Sequence, residues 1–135
     1  MERTFVMIKS DGVQRGLVGD ILTRIEKKGY RLIKAELKQP DRNTVEAHYA
    51  EHKDRPYFQS LVSFILEGPV MAIVVEGENI IKVMRLMIGD KNPGKAIPGT
   101  IRGDYAKDTT RNLIHGADSI ESAQREIAIW FPDEG

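Results

Sequence analysis

Val70-Met71-Ala72-Ile73-Val74-Val75 is an unbroken apolar run that begins directly after the turn-forming pair Gly68-Pro69. A short apolar run bounded in this way is typical of a strand that is buried on both faces. We therefore predict that residues 70–75 form the central strand of a sheet.

Apolar spacing on both sides of this run predicts the remaining elements. Those before it are, in chain order, a buried strand at 3–9, a helix at 16–28, a half-exposed strand at 30–37, a short helix at 42–50 and a helix from Pro56 to Ile65. Those after it are a helix at 78–88, a long loop from Gly89 to Arg111, a short strand and a last helix. The order is βαββαβ, which predicts an α+β, ferredoxin-like sandwich with an antiparallel sheet and inserted helices. We expect residues 1–135 to form a single domain.

The composition argues against several classes of function. Twenty basic residues balance twenty acidic ones, so the net charge predicts neither nucleic acid nor an anionic membrane as a partner. The chain has no cysteine, which rules out disulfides and thiolate metal sites. We find no signal-peptide pattern after Met1, and no apolar run approaches the roughly 20 residues of a membrane span. We therefore expect a cytoplasmic protein.

The loop from Gly89 to Arg111 is rich in Gly, Pro, Asp and Lys and has no apolar period. A loop of this length inside a compact domain is usually functional or disordered, and its basic residues favour a functional role. Its first part, from Gly89 to Ala96, matches G-x-x-x-x-G-K, but a phosphate-binding P-loop follows a strand and has Ser or Thr after the Lys. Because a helix precedes this pattern and Ala96 replaces the hydroxyl, we do not interpret it as a P-loop.

His48-Tyr49-Ala50-Glu51-His52 matches H-x-x-E-H, a pattern found in zinc proteases. A catalytic zinc site needs three protein ligands, and the chain offers no distinctive third ligand. We interpret the segment as a solvated helix end or as a histidine beside a bound phosphate.

The segment from Asn112 to Ser119 contains the best candidate for a reactive centre, His115. Asp118 is predicted to cap the last helix with Glu121 as its capping-box partner, which places His115 just before a helix N-terminus. Unpaired amides and the helix dipole favour a phosphate there, and imidazole is a nucleophile near neutral pH. Glu126, about two turns into the helix, can reach back to hold one ring nitrogen. The segment alone leaves open the alternative of a half-buried histidine without a catalytic role.

Three segments, taken together, resemble one enzyme family. They are Lys9-Ser10-Asp11-Gly12-Val13-Gln14-Arg15-Gly16, Gly99-Thr100-Ile101-Arg102-Gly103-Asp104 and Asn112-x-x-His115-Gly116-x-Asp118-Ser119-x-Glu121-Ser122. In their order and intervals they resemble nucleoside diphosphate kinase, and the resemblance extends over essentially all 135 residues. It implies transfer of the γ-phosphate of a nucleoside triphosphate to a nucleoside diphosphate, by a ping-pong route through a phosphohistidine.

The resemblance also implies roles for individual residues. His115 corresponds to the nucleophile, which reacts through Nδ1, and Glu126 is then the residue that orients its ring. The residues that correspond to phosphate-side groups are Lys9, Tyr49, Arg55, Arg85 and Arg102, and those that correspond to ribose contacts are Lys9 and Asn112. Tyr57 corresponds to a ring that stacks on the base, with Thr109 on the opposite side. Stacking without edge-specific hydrogen bonds accepts any base, which predicts broad nucleotide use.

The resemblance extends to the cofactor and the assembly. Magnesium in this family is carried chiefly by the nucleotide phosphates, so we expect Mg²⁺ as cofactor and no protein metal ligands. Family members are most often homo-hexamers and sometimes tetramers, so we expect a hexamer with a tetramer as the alternative. The loop from Gly89 to Arg111 is then expected to form one wall of the nucleotide cleft.

Three positions depart from the family pattern. Ala117 stands in place of a serine near the phosphohistidine, Lys91 in place of a threonine that bonds the diphosphate, and Ser10 in place of a proline. We expect the missing hydroxyl at Ala117 to slow the phosphoryl step. Ser10 removes a rigid φ constraint next to Lys9.

Two other classes of function are compatible with this fold. The main alternative is a noncatalytic, nucleotide-binding regulatory module, because a fold does not fix a function and Ala117 is compatible with lost activity. A single-stranded nucleic-acid binder is a weaker alternative, since the chain has zero net charge and no interleaved aromatic residues. The presence of His115, Glu126 and Arg102 together favours catalysis.

Overall fold

A computed structural model describes residues 1–133. Within that range the sheet has four strands, which are β1 (Glu2–Ile8), β2 (Arg31–Lys38), β3 (Val70–Gly77) and β4 (Ile114–Gly116). They lie in the order β2-β3-β1-β4, and every neighbouring pair is antiparallel. The predicted ferredoxin-like α+β fold is confirmed, and the run at 70–75 lies in β3, one of the two inner strands.

Seven α-helices and one 3-10 turn connect these strands in the described part of the chain. They are α1 (Ser10–Gln14), α2 (Val18–Lys27), α3 (Arg42–His48), the 3-10 turn (Ala50–His52), α4 (Phe58–Ile65), α5 (Ile80–Ile88), α6 (Ile101–Tyr105) and α7 (Ile120–Trp130). The inserted helices that the sequence predicts are α3 and α4, which lie between β2 and β3. None of the helices within residues 1–133 is long and apolar enough to span a membrane.

Both faces of the sheet are covered by hydrophobic clusters. In β1, Val6 and Ile8 belong to a cluster with residues of α2 and α5, whereas Phe5 and Met7 belong to a cluster with residues of α3, α4 and α7. Successive side chains of a strand face opposite sides, which explains this alternation. Neither face of a strand that is covered on both sides is turned to solvent, and this accounts for the unbroken apolar run in β3.

Two short helices were absent from the sequence prediction. α1 follows β1 directly, in a segment for which no helix was predicted, and α6 interrupts the predicted loop from Gly89 to Arg111. The Thr100 hydroxyl caps α6 by accepting a hydrogen bond from the Gly103 N–H over 2.9 Å. Helices of five residues are too short to produce a recognisable apolar period, so spacing alone cannot predict them.

The last helix begins one residue later than predicted. The cap of α7 is Ser119, whose hydroxyl oxygen accepts from the Ser122 N–H over 3.1 Å, so the prediction of Asp118 as the cap was wrong. With this register Ser122 occupies the third helical position, and the capping box with Glu121 does not form. Both candidate caps are suitable residue types, and only the tertiary position of the chain distinguishes them.

The position of this cap predicts a difference in stability between two neighbouring variants. Ser119→Ala should lower the free energy of unfolding by about 1 kcal/mol, because it leaves a helix amide without an acceptor. Asp118→Ala should change it by less than about 0.5 kcal/mol, since its side chain is exposed. Urea denaturation midpoints measure both changes. A larger loss of stability for Asp118→Ala than for Ser119→Ala would show that Asp118, not Ser119, caps α7.

Candidate active site

The pairing of β1 with β4 brings the predicted cation Lys9 close to the segment that carries His115. Met7 lies opposite His115 in this pairing, and Lys9 directly follows β1. The Lys9 ammonium donates to Oδ1 of Asn112 over 2.9 Å, and both side chains are buried. Burial and the nearby Arg102 guanidinium lower the pKa of Lys9 to about 8. Lys9 is therefore charged at pH 7 but close to losing its proton.

His115 is held by a carboxylate from the last helix. Nε2 of His115 lies 2.7 Å from Oε1 of Glu126, and the Glu126 side chain is only 5% exposed while that of His115 is 23% exposed. α7 packs on β1, which neighbours β4, and this packing places Glu126 beneath the histidine. Nδ1 of His115 has no hydrogen-bond partner among residues 1–133.

Electrostatics determine which nitrogen of His115 carries a proton. Burial, with the cations Lys9, Arg102 and Arg85, lowers the pKa of His115 far below its usual 6.5, so the ring is neutral at pH 7. Burial raises the pKa of Glu126 to about 7. When Glu126 is ionised it accepts from the Nε2–H group, which leaves the lone pair on Nδ1. The exposed edge of the ring is then nucleophilic.

Two arginines donate to the backbone around His115. Arg85 Nη1 donates to the Gly116 carbonyl over 3.2 Å. Arg102 donates to the carbonyls of Asn112, Gly89 and Ile114 over 3.3, 3.1 and 2.6 Å. Burial and the neighbouring Arg85 lower the pKa of Arg102 to about 10, so it remains charged at pH 7. Arg102 thereby ties the loop after α5 to β4 and adds positive charge beside the histidine.

A second histidine, His48, lies against His115, a contact that was not predicted from the sequence. The two rings meet edge to face with centroids 4.5 Å apart. His48 is buried, and its Nδ1 accepts from the Trp130 indole N–H over 3.0 Å. The ring of Tyr49 lies 4.6 Å from that of His48, and its buried hydroxyl has no hydrogen-bond partner in the described part of the chain.

The H-x-x-E-H pattern does not form a metal site. Its members separate, because Glu51 pairs with Arg125 at 3.4 Å and His52 Nδ1 lies 2.7 Å from the Tyr57 hydroxyl. His48 does cluster with His115 and Glu126, with ligand atoms within 4.8 Å of one another. The indole N–H of Trp130 can only donate, so neutral His48 carries its own proton on Nε2 and offers no lone pair there.

The remaining predicted residues lie on exposed segments. Tyr57 is 47% exposed at the start of α4. Arg55 and Lys91 are exposed, and their side chains make no hydrogen bond or ion pair with residues 1–133. Thr109 is exposed, and its carbonyl accepts from Nδ2 of Asn112 over 2.8 Å. None of these four side chains makes a hydrogen bond or ion pair with His115 in the described part of the chain.

Two of the positions that depart from the family pattern are buried. The Ser10 hydroxyl lies 3.2 and 3.1 Å from the carbonyls of Phe64 and Ile65, so it fastens the β1–α1 junction to the end of α4. Ala117 is 1% exposed, and its N–H donates to the Phe5 carbonyl over 3.1 Å. The third departure, Lys91, lies in the exposed loop after α5.

Comparison with known proteins agrees with this geometry. The family model described as nucleoside diphosphate kinase matches residues 2–135. The chain belongs to the nucleoside diphosphate kinase family. The nucleoside diphosphate kinase of Staphylococcus carnosus is 57% identical over 135 residues, which cover 99% of this chain and 90% of that protein. The cytosolic nucleoside diphosphate kinase of Dictyostelium discoideum is 56% identical over 133 residues, which cover 98% of this chain and 86% of that protein.

Solved structures agree as well. A nucleoside diphosphate kinase family protein from Babesia bovis has a TM-score of 0.96 and 47% identity, covering 99% of this chain and 90% of that one. The halophilic nucleoside diphosphate kinase from Halobacterium salinarum was solved in complex with CDP. It has a TM-score of 0.94 and 50% identity, and the match covers 98% of this chain and 89% of that one. The predicted family is confirmed, and the nucleoside diphosphate kinase identity supports an enzyme over the noncatalytic alternative.

Proposed function

We propose that this enzyme transfers the γ-phosphate of a nucleoside triphosphate to a nucleoside diphosphate in two half-reactions, through a phosphohistidine at Nδ1 of His115. The observation that carries the proposal is the 2.7 Å contact between Nε2 of His115 and Glu126. It commits one ring nitrogen to a carboxylate and leaves the other without a partner among the described residues, surrounded by cations.

In the first half-reaction, the Nδ1 lone pair attacks the γ-phosphorus and the bond from this phosphorus to the β–γ bridging oxygen breaks. The leaving nucleoside diphosphate takes the bonding electron pair. Positive charge develops on the ring, and the Glu126 carboxylate stabilises it through the Nε2–H group. In the second half-reaction a terminal oxygen of another nucleoside diphosphate attacks the phosphohistidine, which restores neutral His115.

The cations of the site neutralise the phosphoryl oxygens during both steps, since phosphoryl transfer depends mainly on positioning and charge stabilisation. We assign this role to Lys9, Arg85 and Arg102, with Tyr49 beside them and with Arg55 and Lys91 reaching the phosphates from exposed segments. Lys9 and Asn112, which are bonded to each other at 2.9 Å, are assigned to the ribose hydroxyls. Arginine offers a planar fork to phosphate, whereas lysine offers a compact charge.

We propose that Mg²⁺ enters with the nucleotide phosphates. Magnesium prefers oxygen ligands in near-octahedral geometry, whereas the ligand cluster at this centre, of His48, His115 and Glu126, is rich in nitrogen. Bound to the phosphates, Mg²⁺ neutralises charge on their oxygens. No protein metal ligand is assigned.

The base is proposed to stack on Tyr57, with Thr109 on the opposite side. The hydrogen bond between Tyr57 and His52 would hold the ring in its stacking position. Tyr57→Phe and His52→Ala should each raise KM for nucleotides about threefold with kcat unchanged, the equivalent of a hydrogen bond of under about 1 kcal/mol. Steady-state kinetics with purine and pyrimidine nucleotides measure this.

The double variant tests whether the two side chains act together. Tyr57→Phe combined with His52→Ala should raise KM no more than either single change, because both remove the same hydrogen bond. Additive effects would show that the bond does not position the ring. Tyr57→Ala should raise KM further, since stacking on an aromatic ring contributes about 1–3 kcal/mol.

We also propose a cytoplasmic homo-hexamer, with a tetramer as the alternative. The family resemblance supports this assembly. Light scattering coupled to size-exclusion chromatography distinguishes the two states.

The direct test of the proposed function is incubation with γ-labelled ATP and magnesium, followed by a chase with a different nucleoside diphosphate. We expect a base-stable, acid-labile label on the protein that leaves on the chased nucleotide. A protein that binds nucleotide but acquires no label would overturn the proposed route.

A further inference from the structure

Leu113 has a backbone conformation that leucine rarely adopts, two residues before His115. Its φ is +76°, and the Ile114 N–H donates to the Asn112 carbonyl over 2.9 Å. A hydrogen bond between residues two apart, around a centre of positive φ, defines a strained form of γ-turn. Strain of this kind persists only when the surrounding structure holds it in place. The turn separates Asn112 from His115, so its shape determines how these two residues stand relative to each other.

Two residues of the β1–α1 junction hold this turn from one side. The Leu113 N–H donates to Oδ2 of Asp11 over 3.1 Å, and the Leu113 carbonyl accepts from the Lys9 N–H over 2.7 Å. Asp11 is only 5% exposed, and its other oxygen, Oδ1, has no hydrogen-bond partner among the described residues. Gly12 allows this close approach, since a Cβ there would lie 3.0 Å from the Leu113 carbonyl oxygen.

We propose that Asp11 is a positioning residue of this enzyme, whose carboxylate holds the strained turn at Leu113 and thereby aligns Asn112 and His115 with Lys9. The inference rests on the proposed roles of Lys9, Asn112 and His115. Without an acceptor in this place the Leu113 N–H would be buried and unpaired, which favours relaxation of the turn toward negative φ. A displacement of about 1 Å at a reacting group can cost about 100-fold in rate.

A different role for the same carboxylate would be purely electrostatic. Asp11 favours the charged form of Lys9, while burial of Asp11 itself raises its own pKa. The two roles require different properties of the side chain. Holding the turn requires an acceptor at the position of Oδ2, whereas supporting the Lys9 charge requires a negative charge nearby.

Two conservative variants separate these roles. Asp11→Asn keeps an acceptor at the same distance from the backbone and removes the charge, whereas Asp11→Glu keeps the charge and displaces the acceptor by one methylene group. In Asp11→Asn, we expect the rate of phosphohistidine formation from nucleoside triphosphate to lie within about threefold of the wild-type rate. We expect Asp11→Glu to lose about 30- to 100-fold in this rate, with KM within about threefold.

Hydrogen exchange gives a readout that does not depend on activity. The Leu113 amide should be protected in the wild type and in Asp11→Asn, and should exchange faster in Asp11→Glu, while amides of the inner strand β3 stay protected in all three. The reverse order of rates, equal rates in both variants, or unchanged exchange at Leu113 in Asp11→Glu would overturn the inference. If the wild type forms no phosphohistidine, the proposed function fails, and exchange at Leu113 still tests whether Asp11 holds the turn.

Discussion

His115→Ala is expected to form no labelled intermediate with γ-labelled ATP and to lower phosphate exchange between nucleotides by about 10⁴-fold or more, as removal of a covalent nucleophile does elsewhere. The physical reason is that no other described side chain at the centre can replace Nδ1 of His115. His48 is the nearest imidazole, but its Nδ1 is bonded to Trp130 and its other nitrogen carries the proton. Rapid-quench labelling and steady-state exchange measure the two effects.

The matched control is His52→Ala, which removes the histidine that bonds to Tyr57 and leaves His115 and Glu126 in place. This variant should still acquire an acid-labile label, with only a modest change in KM. The melting temperature of His115→Ala should stay near that of the wild type, because the His115 side chain is partly exposed. Sustained labelling or turnover in His115→Ala would disprove the proposed nucleophile.

Activity should follow a bell-shaped dependence on pH, and Glu126 should determine its acid limb. The pKa of Glu126 is raised to about 7, so below pH 7 it gains a proton and no longer accepts from Nε2–H of His115. The pKa of Lys9 is lowered to about 8, so above pH 8 the site loses a positive charge. The rate of phosphohistidine formation should therefore fall about tenfold per pH unit outside this interval.

Glu126→Gln isolates the acid limb. The amide oxygen of Gln still accepts from Nε2–H but carries no charge, so the rate at pH 8 should fall about 10- to 100-fold, the equivalent of a hydrogen bond to a charged group. The limb near pH 7 should disappear in this variant, while the alkaline limb stays. A limb that persists in Glu126→Gln would instead be assigned to the nucleotide phosphate.

The ionised Glu126 carboxylate promotes activity but lowers the stability of the fold. A buried carboxyl whose pKa is raised in the folded state stabilises the fold when it is protonated, and this contribution is lost as the pH rises from about 4.5 to about 7. Glu126→Gln should therefore gain stability relative to the wild type as the pH rises through this range. Melting temperatures at pH 5 and pH 8 test this together with the kinetic loss.

Periodicity predicted the sheet and most of the longer helices because each buries a regular face, as the alternation in β1 and the spacing in α5 show. It missed α1 and α6, because five residues are too few to show an apolar period, although α6 is capped by Thr100 and buries Ile101. It also placed the start of α7 one residue early, since Asp118 and Ser119 are equally good caps in sequence terms.

For the candidate site, the sequence predicted the contact between Glu126 and His115 from helix spacing and the other roles from the family motifs. It could not predict His48 beside His115, because that contact depends on how α3 packs against α7 and on the bond to Trp130. The H-x-x-E-H pattern pointed to His48 and His52 as a pair, yet the chain turns between them. The strained turn at Leu113 left no sequence signal, since a leucine gives no indication of positive φ.

Lys9 and His115 are positioned by one sheet, because the strands on which they depend are paired directly, with Met7 opposite His115. Tyr57 and Thr109, which we propose to contact the base, lie on exposed segments outside the sheet. The proposed reaction centre therefore lies at the sheet, and the proposed base contacts lie on separate segments. A redesign for an unnatural base can therefore vary Tyr57 and Thr109 and keep the residues that we propose to move the phosphoryl group.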